Sequence, residues 1–145
     1  MTEPTGRSGS GFELLPHTAD VKVSAWAPGR EDCLAQAVRA MVAAFADVRD
    51  VRPQRLIGIR CAPAECATQL VEVLEEAIYL IDAEDVVPVV VSLAGTGDGG
   101  LVGQFGVADR AQVTVVGPAP KAVTHHGLRC VRTDGHWQAE AVIDV

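Results

Sequence analysis

Asp20 and Asp144 are the residues whose carboxylates are best placed for chemistry, because each stands at the end of an apolar, strand-like segment. Side chains alternate between the two faces of a strand. By this alternation Asp144 shares a face with Glu140, and Asp20 shares a face with Lys22. Both carboxylates are therefore predicted to point away from the apolar face of their strands.

A divalent metal site is the chemistry that these two aspartates could support. Carboxylate oxygens are hard donors that suit Ca²⁺, Mg²⁺ or Mn²⁺. His17 lies close to Asp20 in sequence, and Val145 adds an α-carboxylate next to Asp144. Such a site requires the two ends of the sequence to meet, and spacing alone favours the simpler interpretation of two solvated aspartates at strand ends.

The cysteines offer a weaker metal hypothesis. Two of them, separated by four residues, could bind zinc together with His125 and His126. Pro63 lies between those two cysteines at a predicted helix start, and ordinary packing is the favoured interpretation. The N-terminal residues hold no secretion signal, so we expect reduced, partly buried thiols and no disulfide framework. The cysteines are Cys33, Cys61, Cys66 and Cys130.

Other patterns carry little chemistry. Residues 95–100 match G-x-G-x-x-G, but the residues that follow are strand-like, so a hairpin loop is favoured over a dinucleotide-binding turn. Ser24 and Ser92 lie within predicted strands and lack the context of an activated nucleophile. Three glutamates on the second predicted helix indicate its solvated face; they are Glu72, Glu75 and Glu76.

Two helices and a run of strands must position these residues. Apolar residues recur at helical spacing over 31–46, and again over 70–81 in a helix predicted to begin at Pro63. Strands are predicted at 12–15, 21–26, 55–60, 86–93, 101–107, 112–116, 123–131 and 137–145. This order favours an α+β fold, with two helices packed on one face of a largely antiparallel sheet.

Length and charge limit the remaining possibilities. The chain has 145 residues, which predicts a single domain over residues 12–145 after a disordered tail over 1–11. The net charge of -7 argues against direct binding to nucleic acid. No apolar run is long enough to span a bilayer, so we expect no membrane association and a cytoplasmic location.

Several motifs together resemble the archease family. They are H-T-A-D-V at 17–21, L-V-E-V-L-E-E-A-I-Y-L-I-D at 70–82, K-A-V-T-H-H-G-L at 121–128 and the terminal V-I-D-V at 142–145. Their order and spacing cover nearly all of the chain from Phe12 onward.

This resemblance implies a non-catalytic protein that activates a GTP-dependent RNA-splicing ligase of the RtcB type in tRNA splicing or RNA repair. It would help the ligase acquire its covalent guanylate and sustain multiple turnover. General chaperone activity, or modulation of assemblies of protein with nucleic acid, is the alternative that the resemblance leaves open.

The resemblance also implies roles for particular residues. Asp20, Asp144 and Val145 would bind the metal, with Ca²⁺ as the expected ion and Mg²⁺ or Mn²⁺ as alternatives. Asp47 shares the motif context of a further site residue, and Lys121 corresponds to a family residue needed for activation. Two departures are expected to change the partner surface: His125 replaces a common Tyr, and Val73 replaces a frequent Trp.

Overall fold

The computed structural model describes residues 8–15 and 20–145. His17 therefore lies outside the described residues. The first strand begins at Gly11, one residue before the predicted domain boundary, and the expected tail over 1–11 stays a prediction.

The described chain contains nine strands, two α-helices and one 3₁₀ turn. In chain order they are β1 (Gly11–Leu15), β2 (Asp20–Ala27), α1 (Arg30–Phe45), β3 (Ala46–Asp47), β4 (Arg55–Cys61), α2 (Cys66–Ala83), β5 (Val86–Gly95), β6 (Leu101–Asp109), the 3₁₀ turn Arg110–Gln112, β7 (Thr114–Val115), β8 (Ala122–Thr133) and β9 (His136–Asp144).

The strands form three sheets, and every strand pair is antiparallel. The largest sheet has the order β1-β2-β9-β8, a second has the order β4-β6-β5, and β3 pairs with β7. The α+β class with two helices is confirmed. The strands were predicted to form one sheet, but they form separate antiparallel sheets that pack on either side of α1.

Helix α1 is buried on nearly all sides because it packs against β2 of the larger sheet and β5 of the smaller one. Its sequence is rich in alanine and valine, whose small side chains allow both sheets to approach closely. The helix ends at Phe45, where Ala46 adopts extended backbone and begins β3. Helix α1 therefore forms the centre of the core.

Helix α2 packs against α1, β5 and β8 through one apolar face. It begins at Cys66, three residues after the predicted start, because Pro63 lies in the loop and the Gln69 N–H makes the first helical bond, to the Glu65 carbonyl at 3.1 Å. Glu72 and Glu75 are exposed, as predicted for the solvated face, whereas Glu76 is half-buried. Val73 is fully buried, so that departure from the family pattern changes the core and not a partner surface.

The glycine-rich residues 95–100 lie in a hairpin between β5 and β6, as predicted. The Thr96 N–H donates to the Gly100 carbonyl at 3.1 Å, and the Gly100 N–H donates to the Asp98 carboxylate at 3.0 Å. These hydrogen bonds pair polar groups within the loop. The loop leads into the strand β6, whereas a dinucleotide-binding turn leads into a helix. The dinucleotide-binding interpretation is thereby excluded for this loop.

The cysteine prediction is wrong for one pair. Cys66 and Cys130 form a disulfide that joins the first residue of α2 to β8, and their Cα atoms are 5.5 Å apart. Sequence spacing could not reveal this pairing, because the two residues are 64 positions apart and meet only when α2 packs on β8. Cys33 and Cys61 are buried thiols, as expected.

Two smaller features complete the description. The predicted strand at 112–116 is instead the 3₁₀ turn Arg110–Gln112 followed by the two-residue β7. Among residues 8–15 and 20–145, no helix is long and apolar enough to cross a membrane.

Candidate functional site

The register of β2 and β9 places Asp20 directly opposite Asp144. Directly opposed residues of an antiparallel pair project from the same face, with Cβ atoms about 4.5–5.5 Å apart. Ile143, the preceding residue of β9, is 1% exposed, whereas Asp144 is exposed. The two sequence ends therefore meet, and both carboxylates lie on the face that alternation predicted.

Lys121 is fixed beside this pair by its main chain. The Lys121 N–H donates to the Asp144 carbonyl at 2.7 Å, and the next residue, Ala122, pairs with Asp144 in the β8–β9 register. Asp144 thus has strands on both sides of its backbone. The main chain of Asp144 is held between them while its side chain stays exposed.

A cavity of about 570 Å³ lies next to Lys121 and Val145. Its apolar wall comes from the last turns of α2 and from residues 118–120, and its polar wall includes Asp82 and Arg110. Arg110 also lies over the Phe45 ring, 5.0 Å from its centroid. Two cationic side chains therefore border one cavity in a chain of net charge -7.

Asp82 and Arg110 were missed by the sequence analysis. Asp82 could have been found, because it lies one helical turn after Ile78 on the face of α2 that reaches this cavity. No pattern marks Arg110, since its position depends on the 3₁₀ turn that packs it against Phe45.

Asp47 has a different environment from Asp20 and Asp144. Its two carboxylate oxygens accept hydrogen bonds from the Arg49 side chain at 3.0 and 2.8 Å, and the Arg49 N–H also donates to it at 3.1 Å. These bonds lower the pKa of Asp47 from 3.8 to about 2. Asp47 does not line the cavity of Lys121 and Val145.

Instead, Asp47 borders a separate groove of about 470 Å³ between β1, α1 and β5. Its lining is mainly apolar and includes Phe12 and Val116, which are 36% and 59% exposed. On its floor, the Arg39 guanidinium donates to the Val91 carbonyl at 2.7 Å. The Asp47 carboxylate therefore lies beside an apolar surface.

Asp20 and Asp144 are the described carboxylates of the predicted metal site. Among the described residues, no group of three or more His, Cys, Asp or Glu side chains has the arrangement of a metal site. Asp20 and Asp144 supply two hard carboxylate donors at directly opposed positions of β2 and β9, and Val145 follows Asp144 with a main-chain oxygen. The donor chemistry fits a divalent hard cation.

His125 and His126 lie where the β8–β9 register is interrupted between Thr124 and Arg129. His125 borders a small cavity with the first turns of α2. Cys66 is bonded to Cys130, so it cannot join these histidines in the zinc site that was the weaker hypothesis.

Comparison with known proteins gives consistent matches. Residues 12–145 match the profile of the Archease protein family (MTH1598/TM1083). The chain is 36% identical over 136 residues to the probable protein archease of Mycobacterium tuberculosis, covering 94% of this chain and 75% of that one. It is 27% identical to the protein archease of Archaeoglobus fulgidus, covering 92% and 98%.

Two solved structures share the fold. Protein 1598 of Methanobacterium thermoautotrophicum superposes with a TM-score of 0.72 at 24% identity, covering 93% of this chain and 99% of that one. An archease of Thermotoga maritima, described as a "possible chaperone", superposes with a TM-score of 0.63 at 17% identity, covering 100% and 98%.

Proposed function

The chain belongs to the archease family, and on that premise we propose that it is a non-catalytic activator of a GTP-dependent RNA-splicing ligase. It would promote guanylylation of the ligase and so sustain multiple turnover in tRNA splicing or RNA repair. The observation that carries this proposal is the register of Asp20 opposite Asp144, with the Lys121 N–H bonded to the Asp144 carbonyl. The proposal includes a cytoplasmic location.

Asp20, Asp144 and an oxygen of Val145 would hold the divalent ion. Ca²⁺ is the expected ion and Mg²⁺ or Mn²⁺ are alternatives, because all three prefer carboxylate and carbonyl oxygens. The ion would supply positive charge that neutralises the two opposed carboxylates, which otherwise repel each other. His17 would be a further donor or a partner contact.

The remaining residues would dock the ligase. An acidic protein of net charge -7 is attracted to a basic RNA-handling enzyme but does not compete with it for RNA. Lys121 extends from the edge of the cavity that Val145 borders, where its ammonium could contact the nucleotide phosphate of the partner. Direct nucleic-acid binding by this chain alone is not part of the proposal.

A non-catalytic role is supported by the limited chemistry of the chain. Ser24 is 3% exposed inside β2, so its hydroxyl is inaccessible to a substrate.

The decisive experiment measures ligation turnover by the ligase with GTP, RNA and a divalent ion, with and without this protein. We expect activation at substoichiometric amounts of this protein, together with faster formation of the covalent guanylate. Equal turnover with and without the protein would contradict the proposal.

General chaperone activity is the second candidate, and the exposed apolar groove beside Phe12 and Val116 favours it. A chaperone would suppress aggregation of an unrelated heat-denatured protein, whereas a dedicated activator would not. An Asp20→Ala variant separates the two, because it should lose activation of the ligase without changing protection of unrelated proteins.

A further inference from the structure

Cys66 and Cys130 are placed for disulfide chemistry by two elements that pack for independent reasons. Their Cα separation of 5.5 Å lies in the range that disulfides require. Cys66 opens α2 and is 7% exposed, while Cys130 lies in β8 and is partly exposed. An external thiol can therefore approach the pair from the side of Cys130.

The position of Cys66 favours exchange. It is the first residue of an 18-residue helix, and no acidic side chain lies in that first turn. The partial positive charge of a helix N-terminus favours a leaving thiolate, so exchange should begin by attack on the sulfur of Cys130, the more exposed of the two, with Cys66 as the leaving group.

The other cysteines are unreactive by comparison. Burial raises the pKa of Cys33 to about 12, and burial beside Glu72 raises the pKa of Cys61 to about 11. Both therefore remain thiols at neutral pH. Reactivity is concentrated in one pair.

The core holds α2 in place independently of this bond. Helix α2 is held in the core by a stripe of buried residues from its second turn to its last, namely Leu70, Val73, Leu74, Ala77, Ile78, Leu80 and Ile81. A domain of this size has enough core to fold without a disulfide. Reduction should therefore release only the first turn of α2 from β8.

We propose that Cys66 and Cys130 are a reversible redox modification site that exchanges with a low-molecular-weight disulfide of the glutathione type. A cysteine thiolate attacks the small disulfide, forms a mixed disulfide and releases one small thiol. The second cysteine then displaces the second small thiol and closes the protein disulfide. Two electrons pass from the cysteine pair to the small disulfide, and the two cysteine protons end on the two thiols released.

Oxidation fixes one wall of a neighbouring cavity. A space of about 210 Å³ lies between the first turns of α2, including Thr68 and Val71, and the irregular part of β8 at His125 and Leu128. The disulfide ties these two walls together at one end. The oxidised chain therefore has a more rigid α2 start than the reduced chain.

The test equilibrates the full chain in buffers of reduced and oxidised glutathione, then quenches, unfolds and alkylates it for mass spectrometry. In excess oxidised glutathione two of the four cysteines should be protected, and in excess reduced glutathione none should be. Intermediate buffers should give the same mixture from both directions. Amides in the first turn of α2 should exchange hydrogen more slowly in the oxidised form.

Single-residue variants test whether Cys66 and Cys130 are the two cysteines that form the reversible disulfide. Cys61→Ser, which removes a buried thiol outside the pair, should retain the transition, and Cys66→Ser or Cys130→Ser should abolish it. Three results would overturn the proposal: four alkylated cysteines in excess oxidised glutathione, persistent protection in excess reduced glutathione, or loss of the folded circular dichroism signal when the wild-type chain is reduced. None of these measurements involves the ligase.

Discussion

Asp47 and the pair formed by Asp20 and Asp144 are carboxylates in contrasting surroundings. Asp47 is neutralised within its own segment, because Arg49 follows two residues later and forms a bidentate contact with it. Asp20 and Asp144 are brought together by strand register from opposite ends of the chain, so two like charges face each other. A partner two residues away binds the first carboxylate, whereas strand register assembles the second arrangement from distant segments.

This contrast distinguishes an aspartate that forms a salt bridge, Asp47, from the two aspartates that we propose as metal ligands, Asp20 and Asp144. Like charges directly opposite each other in an antiparallel strand pair are destabilising. Removing one charge from the pair should therefore leave the metal-free fold intact while removing its ability to bind an ion. Removing the charge of Asp47 should instead affect a salt bridge.

The largest expected effect is loss of metal binding in Asp20→Ala. Deleting one of the two proposed carboxylate ligands should weaken divalent ion binding by about 100-fold or more and remove ligase activation. Asp144→Asn should do the same while keeping the side-chain volume. Isothermal calorimetry with Ca²⁺ and Mn²⁺ measures the first effect.

Asp47→Asn is the matched control, because it removes an equal charge at the site where Arg49 already provides a partner. Its effect on metal affinity should be much smaller. Equal loss of affinity in the Asp20 and Asp47 variants would show that Asp47 is a ligand and that the contrast between the two regions does not hold.

Lys121→Ala should separate activation from metal binding. Its main-chain N–H bond to the Asp144 carbonyl does not require the side chain, so the backbone at the proposed metal ligands should persist. Activation of the ligase should be lost while calorimetric metal affinity stays near that of the wild type. Loss of both properties would mean that the ammonium supports the site itself.

Gly117 connects the two regions, and Gly117→Ala should destabilise the fold. Its N–H donates to the Phe45 carbonyl at 3.2 Å, and an added Cβ would collide with the Ala44 carbonyl oxygen at the end of α1. Because a backbone atom cannot move aside as a side chain can, we expect a loss of roughly 1–3 kcal/mol in the free energy of unfolding.

Urea denaturation measures this loss. Gly58→Ala is the control, because its Cβ would meet no atom closer than 4.0 Å, and it should change stability by less than about 0.5 kcal/mol. Should the two variants be equally stable, the segment from Gly117 to Lys121 would not be held tightly to α1.

Structural features formed by neighbouring residues can be predicted from this sequence, whereas features formed by distant segments cannot. Alternation along one strand was enough to predict which face Asp144 occupies, and helical spacing was enough to locate α1 and the buried stripe of α2. Both are properties of a few neighbouring residues.

Features formed by distant segments were not predictable in this way. The approach of Cys66 to Cys130 and the position of Arg110 over Phe45 depend on how α2 and the 3₁₀ turn pack. Spacing alone does not predict that Asp20 meets Asp144, since no rule of alternation selects which strands become neighbours. The resemblance to a family supplied that expectation, and the register of β2 and β9 agrees with it.

The smallest expected effect concerns pH and the salt bridge of Asp47. Hydrogen bonds from Arg49 lower the pKa of Asp47 from 3.8 to about 2 in the folded chain. A depressed pKa means that the folded state favours the charged carboxylate, so the stabilisation is fully present above pH 3.8 and is lost as the pH falls through about 2. The difference in melting temperature between wild type and Asp47→Asn should therefore be small, constant at neutral pH, and shrink across this acidic window.

Arg49→Gln removes the other side of the same salt bridge and should give the same pH-dependent difference. The double variant Asp47→Asn/Arg49→Gln should add little to either single change, because both remove one interaction. Melting curves of the four proteins between pH 6 and pH 2 provide the measurement. A difference that grows on acidification, or that adds fully in the double variant, would show that Asp47 is stabilised by something other than Arg49 and would weaken its contrast with Asp20 and Asp144.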